Sequence, residues 1–119
     1  MITIYHNPRC SKSRAALALI QEVAQQQKLA LHVVEYLQAP PDLAQLQALL
    51  QQLGGDVQAM LRDNEEEYAA LGLAQADPAA ALAALASHPA LLQRPVVSYQ
   101  GRAVIARPPE LVLSLFQKA

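Results

Sequence analysis

The chain has 119 residues, a formal net charge of −1, and a hydrophobic fraction of 53% that leans on alanine, with only 4% aromatic residues. That length suits one domain with one sizeable core, and the small-residue bias favours close helix packing over an aromatic-rich β-sandwich. Near-neutral charge offers no electrostatic footprint for nucleic acid or an acidic membrane surface, and no apolar run approaches the roughly 18 residues of a bilayer span.

The chain opens on "MITIY", a β-branched and aromatic run that reads as a buried strand, and "NP" breaks it. From about Ser11 the pattern changes. Ala16, Leu17, Ile20, Val23 and Ala24 recur at three- and four-residue spacing, which predicts an amphipathic helix. "LALHVVEYL" reads as a second strand and "APPDLAQLQALLQQLGG" as a second helix. Pro41 suits the first turn of that helix, Leu43, Leu46, Leu49, Leu50 and Leu53 its buried stripe, and Gly54-Gly55 its end. From about Asp56 to His88 the pattern is helical throughout, with breaks near Gly72 and at Asp77-Pro78. "RPVVSY", "QG" and "RAVIA" predict two strands joined by a tight turn, and "RPPELVLSLFQKA" a last helix with prolines in its first turn.

Strand–helix–strand at the start makes a βαβ unit with a parallel pair. Adding the hairpin and the last helix predicts an α/β fold: a thioredoxin-like four-stranded mixed sheet flanked by helices. The helical block, about residues 56–90, is then an insertion in one domain that spans residues 1–119. The first residues, "MITIYHNPRC", lack the basic, apolar and small-residue regions of a secretory signal. With one cysteine, the expected compartment is the reducing cytoplasm, where a thiol stays free.

That cysteine, Cys10, lies where the first strand leads into the first helix. A helix N-terminus presents unpaired N–H groups and partial positive charge, which favour a thiolate or a bound oxyanion. His6, Arg9, Lys12 and Arg14 surround it, and no acidic residue precedes Glu22. Such a setting lowers a thiol pKa from about 8.5 into the range of roughly 3.5–7.5. Ser13, one turn on, is placed to offer its hydroxyl to the sulfur. A cysteine that merely filled a core gap would not sit among Arg9, Ser11, Lys12 and Ser13. A phosphatase-type loop needs an arginine six residues after the thiol, and position 16 is Ala; a dithiol C-x-x-C is excluded because position 13 is Ser. His6, His32 and His88 are scattered and match no metal-ligand spacing.

Four segments, "IYHNPRCSKSR", "LRDNEEEYAALGL", "LLQRPVV" and "ARPPELVLSLF", together resemble the glutaredoxin-coupled arsenate reductases, the ArsC family. They occur in the same order and cover nearly the whole chain. The resemblance implies that Cys10 is the nucleophile, that Arg62, Arg94 and Arg107 hold the oxyanion, and that His6 and Ser13 tune the thiolate. It also implies that Pro95 is the cis-proline facing the cysteine loop. Three guanidiniums suit the task, because each is permanently charged and can chelate two oxygens of a tetrahedral anion. The implied activity is reduction of arsenate to arsenite in the cytoplasm with no bound cofactor; the sequence leaves the oligomeric state open, with a monomer favoured. Glutathione is the implied co-substrate and glutaredoxin the implied partner. Ser11-Lys12 stand where well-studied members carry Gly-Thr. Two other readings therefore stay open: a glutathione-dependent thiol reductase acting on another substrate, and an Spx-like redox-sensitive regulator that binds a partner protein.

Overall fold

The computed structural model describes residues 1–116, and the three residues that would end the predicted last helix lie outside them. Strand β1 (Ile2–His6) sits inside the sheet and sorts its side chains by alternation. Ile2 and Ile4 join one apolar cluster and Tyr5 packs against the other, so β1 is covered on both faces. Helix α1 (Ser11–Gln27) lays Ala16, Ile20, Val23 and Ala24 inward, as their spacing predicts. Strand β2 (Leu31–Glu35) then runs parallel to β1, from Ile2 opposite Leu31 to His6 opposite Glu35.

Helix α2 (Leu43–Gln52) begins beyond Pro41, later than expected. Asp42 accepts from the Gln45 N–H at 2.8 Å, and the Gln45 side chain accepts from the Asp42 N–H at 2.8 Å. This reciprocal cap defines the start, so Pro41 precedes the helix instead of forming its first turn. Leu43, at the first helical position, is consequently turned to solvent, while Leu46 and Leu49 carry the buried stripe with Leu50 and Leu53 partly buried beside them. Gly54 and Gly55 end the helix at φ values of 99° and 89°, a region that side chains other than hydrogen rarely tolerate.

The insertion is less regular than its pattern. It holds 3₁₀ turns at Val57–Met60, Leu73–Gln75 and Pro89–Leu91, a short helix α3 (Glu66–Ala70), and helix α4 (Pro78–Ser87) capped by Asp77. The breaks at Gly72 and Asp77-Pro78 fall where expected, but another falls at Leu61. There the chain is extended because Arg62 N donates to Leu91 O at 2.8 Å and Gln93 N to Met60 O at 2.8 Å. A long-range backbone pairing has overridden local helical preference.

Strands β3 (Val96–Tyr99) and β4 (Arg102–Ile105) form the predicted hairpin, with Gln100 and Gly101 both at positive φ, as a two-residue type I′ loop requires. The order across the sheet is β2-β1-β3-β4, with β1–β3 and β3–β4 antiparallel. A thioredoxin-like mixed sheet is thus present. The last element, Pro109–Phe116, is a 3₁₀ helix and not an α-helix; Pro108 and Pro109 withhold two backbone N–H groups from its start. It packs with α1 on one face, around Ile4, Ile20, Val97, Val112 and Leu115. α2 and the insertion cover the other, around Tyr36, Leu46, Met60, Leu85 and Val96. No helix among the described residues is long and apolar enough to cross a membrane.

Candidate active site

Strand register builds the site before any side chain is considered. Tyr5 faces Val96 across β1 and β3, Val96 faces Ile105 across β3 and β4, and His6 faces Glu35 across β1 and β2. Beyond these paired ends, the register brings Tyr36, Asn7, Arg94 and Arg107 abreast across one end of the sheet. Residues abreast on neighbouring strands share a face. Backbone and side-chain bonds fix the row: Ala106 N donates to Pro95 O at 2.9 Å, and the Arg107 Nη1 donates to Arg94 O at 3.0 Å. The Arg94–Pro95 and Arg107–Pro108 peptide bonds are both cis.

Cys10 stands over this row as the N-cap residue of α1, in extended conformation, and is partly exposed. Partial burial pushes its thiol pKa up. The backbone N–H groups of Ser13 and Lys12, and then the charges of Arg94 and Arg107, more than offset this, so the thiol is held below its ordinary value. No regular cap hydrogen bond forms to the sulfur; the helix's free N–H dipoles act on the anion instead. The expected outcome is a thiolate midpoint, followed by ultraviolet absorbance against pH, below the roughly 8.5 of a free cysteine. Because the folded pKa is depressed, the thiolate contributes stability that is present above the unfolded midpoint and is lost as pH falls through the folded one. A midpoint at or above 8.5 would leave Cys10 an ordinary thiol.

Ser13 is fully buried, but its hydroxyl is not the group that serves the sulfur. Its Oγ hydrogen-bonds His6 Nδ1 at 2.7 Å and accepts from the Asn7 N–H at 3.0 Å. The Ser13 backbone N–H, not its hydroxyl, favours the thiolate. His6 is 5% exposed, and burial foremost, with Arg14 adding to it and Glu35 opposing, holds its pKa below the usual value. A neutral imidazole locked to Ser13 braces the loop between β1 and α1. Arg14 braces it from outside, donating from Nη1 to Pro8 O at 3.0 Å.

The three arginines named by the sequence are not equivalent. Arg94 and Arg107 act directly on Cys10. Arg94 also has a buried Nε without a hydrogen-bond partner among the described residues, an unmet donor of a kind that folded proteins rarely leave. Arg62 stands further back, on the segment bridged at Leu61–Leu92, and its Nη1 is engaged by Glu65. Sequence reasoning missed Tyr36. This residue is 1% exposed. Its hydroxyl pKa is raised by burial foremost, with Arg94, a hydrogen bond from the Asn7 side chain and Arg62 lowering it and Cys10 raising it. A neutral phenol is therefore set beside the thiol itself, and the two groups share Arg94. Only the strand register, and no motif, would have pointed to it.

A thioredoxin-like α/β domain with one activated thiol facing a pair of arginines is the class that fold and geometry define. The model of the ArsC family matches residues 5–115. An arsenate reductase of Neisseria meningitidis is 46% identical over 112 residues, covering 92% of each chain. One from Escherichia coli is 37% identical over 99% of this chain and 82% of the relative. The solved structure of an arsenate reductase from Vibrio cholerae superposes with a TM-score of 0.85 at 45% identity, over 96% of each chain. The chain belongs to the ArsC family.

Proposed function

We propose that this chain reduces arsenate to arsenite, with Cys10 as nucleophile and glutathione and glutaredoxin as external reductants. The supporting observation is the buried Nε of Arg94, without a partner among the described residues, beside a thiol whose anion Arg94 itself favours. A thiolate and an oxyanion repel each other, so their meeting requires fixed positive charge on both, and a bidentate guanidinium supplies it. The Cys10 thiolate attacks arsenic and hydroxide leaves with a proton from solvent. The glutathione thiolate then attacks the Cys10 sulfur. The sulfur–arsenic bond breaks with its electron pair going to arsenic, which leaves as arsenite. A glutaredoxin thiol finally takes the glutathione from Cys10 and restores the thiol.

The resolving thiol comes from solution because the chain has one cysteine. Approach to the sulfur is open, since Cys10 is partly exposed. A cleft of about 250 Å³ on the outer side of the same loop, with Arg9, Glu35 and Gln38 in its wall, offers both charge signs to a zwitterionic tripeptide. Oxidised glutathione is expected to add one glutathione to Cys10 and no internal disulfide, as read by intact mass. The deciding experiment is arsenate-dependent NADPH consumption with glutathione, glutaredoxin and glutathione reductase present. Adduct formation without arsenate turnover would favour a thiol reductase for another substrate; neither would favour a regulator. The cytoplasm is the compartment that supplies these reductants.

A further inference from the structure

Arg62 differs from Arg94 and Arg107 in having a carboxylate partner already. Its Nη1 donates to Glu65 Oε1, the two side chains are 19% and 27% exposed, and this is the one ion pair among the described residues. The backbone closes the same turn, with Glu65 N donating to Arg62 O at 3.4 Å. Glu65 also occupies the N-cap position of α3, where a side-chain oxygen ordinarily accepts from free helix N–H groups. It makes no such bond. Its carboxylate is given to the guanidinium at the expense of the helix.

A carboxylate offers a guanidinium two oxygens and one negative charge, which is the edge that a tetrahedral oxyanion presents. The oxyanion has further oxygens and charge left for Arg94 and Arg107. We propose that Glu65 is an internal stand-in for the substrate, which holds Arg62 while the site is empty and yields it to a tetrahedral oxyanion. The inference rests on the reading of Arg62 as an oxyanion ligand. Glu65 recovers the guanidinium when the bound anion is consumed, because reduction of an arsenate anion ends in arsenous acid, which is neutral at neutral pH. The carboxylate thereby weakens substrate binding and hastens clearance of the site.

Sulfate, an unreactive tetrahedral dianion, is the probe, and its protection of Cys10 from a neutral alkylating reagent is the readout. In Glu65→Gln the sulfate concentration for half-protection is expected to fall about fivefold, the upper range for an ion pair this exposed. Arg62→Gln and the double variant Arg62→Gln/Glu65→Gln should then protect alike, because the carboxylate has nothing left to withhold. Glu65→Gln forfeits no cap bond, and a thermal midpoint close to the parent's would show it folded. Unchanged or weaker sulfate binding in Glu65→Gln would overturn the proposal and leave Glu65 as a support for Arg62. Failure of sulfate and phosphate to protect the parent protein would overturn the oxyanion reading itself, and the stand-in role with it.

Discussion

Cys10→Ser is expected to abolish arsenate-dependent turnover and leave the fold intact or slightly firmer. The two effects have separate causes. A hydroxyl at this position is not ionised near neutral pH and cannot form a disulfide with glutathione, so both nucleophilic attack and electron transfer are lost. The same residue is the N-cap of α1, in extended conformation, and serine is among the preferred residues there, worth up to about 1 kcal/mol over a residue that does not cap. Denaturant unfolding at a pH below the folded Cys10 midpoint, where the thiolate contributes nothing, should therefore show a midpoint equal to or above the parent's, while the coupled assay at neutral pH falls to background. Arsenate reduction persisting in a folded Cys10→Ser would remove the nucleophile from the mechanism.

Arg94→Lys is expected to weaken oxyanion binding at least about tenfold, although charge is conserved. The lysine ammonium is a point charge that cannot present two parallel N–H bonds to one anion, and the unpartnered Nε disappears with the substitution. Arg102→Lys is the matched control. Arg102 donates from Nη2 to Leu115 O at 2.9 Å, tying β4 to the last 3₁₀ helix, so its loss should cost stability of about 1 kcal/mol and leave anion binding alone. The Cys10 midpoint discriminates further: Arg94→Lys should move it less than Arg94→Gln, which removes the charge. Equal weakening of sulfate protection in Arg94→Lys and Arg102→Lys would mean that general basicity holds the anion.

Two periodicities made most of this architecture readable in advance. The alternation in "MITIY", the three- and four-residue spacing after Ser11 and the turn at Gln100-Gly101 are local signals, and β1, α1 and the β3–β4 hairpin follow them. The start of α2 was misplaced because Pro41 and Asp42 both carry N-terminal signals, and the hydrogen-bonding side chain prevailed over the ring. The extended break at Leu61 depends on Leu92, thirty-one residues away, and no local pattern encodes such a bridge. In the site, Cys10 was legible because helix terminus, cations and cysteine coincide within five residues. Tyr36 was not, since a buried tyrosine after a strand looks like ordinary core until strand register sets it beside Asn7. Glu65 was hidden for the opposite reason: within "RDNEEEY" nothing distinguishes the one carboxylate that turns to Arg62 from its solvated neighbours.

The strand order β2-β1-β3-β4 has a consequence during synthesis. β1 leaves the ribosome first, yet one of its two neighbours, β3, begins only at Val96. Until then the first strand has a bare flank, and long-range pairing of this kind is the slow, late part of assembly. The amides of α1 can act on Cys10 once that helix forms, but Arg94 and Arg107 arrive with the last quarter of the chain. A growing polypeptide therefore carries a comparatively quiet sulfur until its last quarter has been made. The chain completes its own reagent at about the moment when the finished sheet can control it.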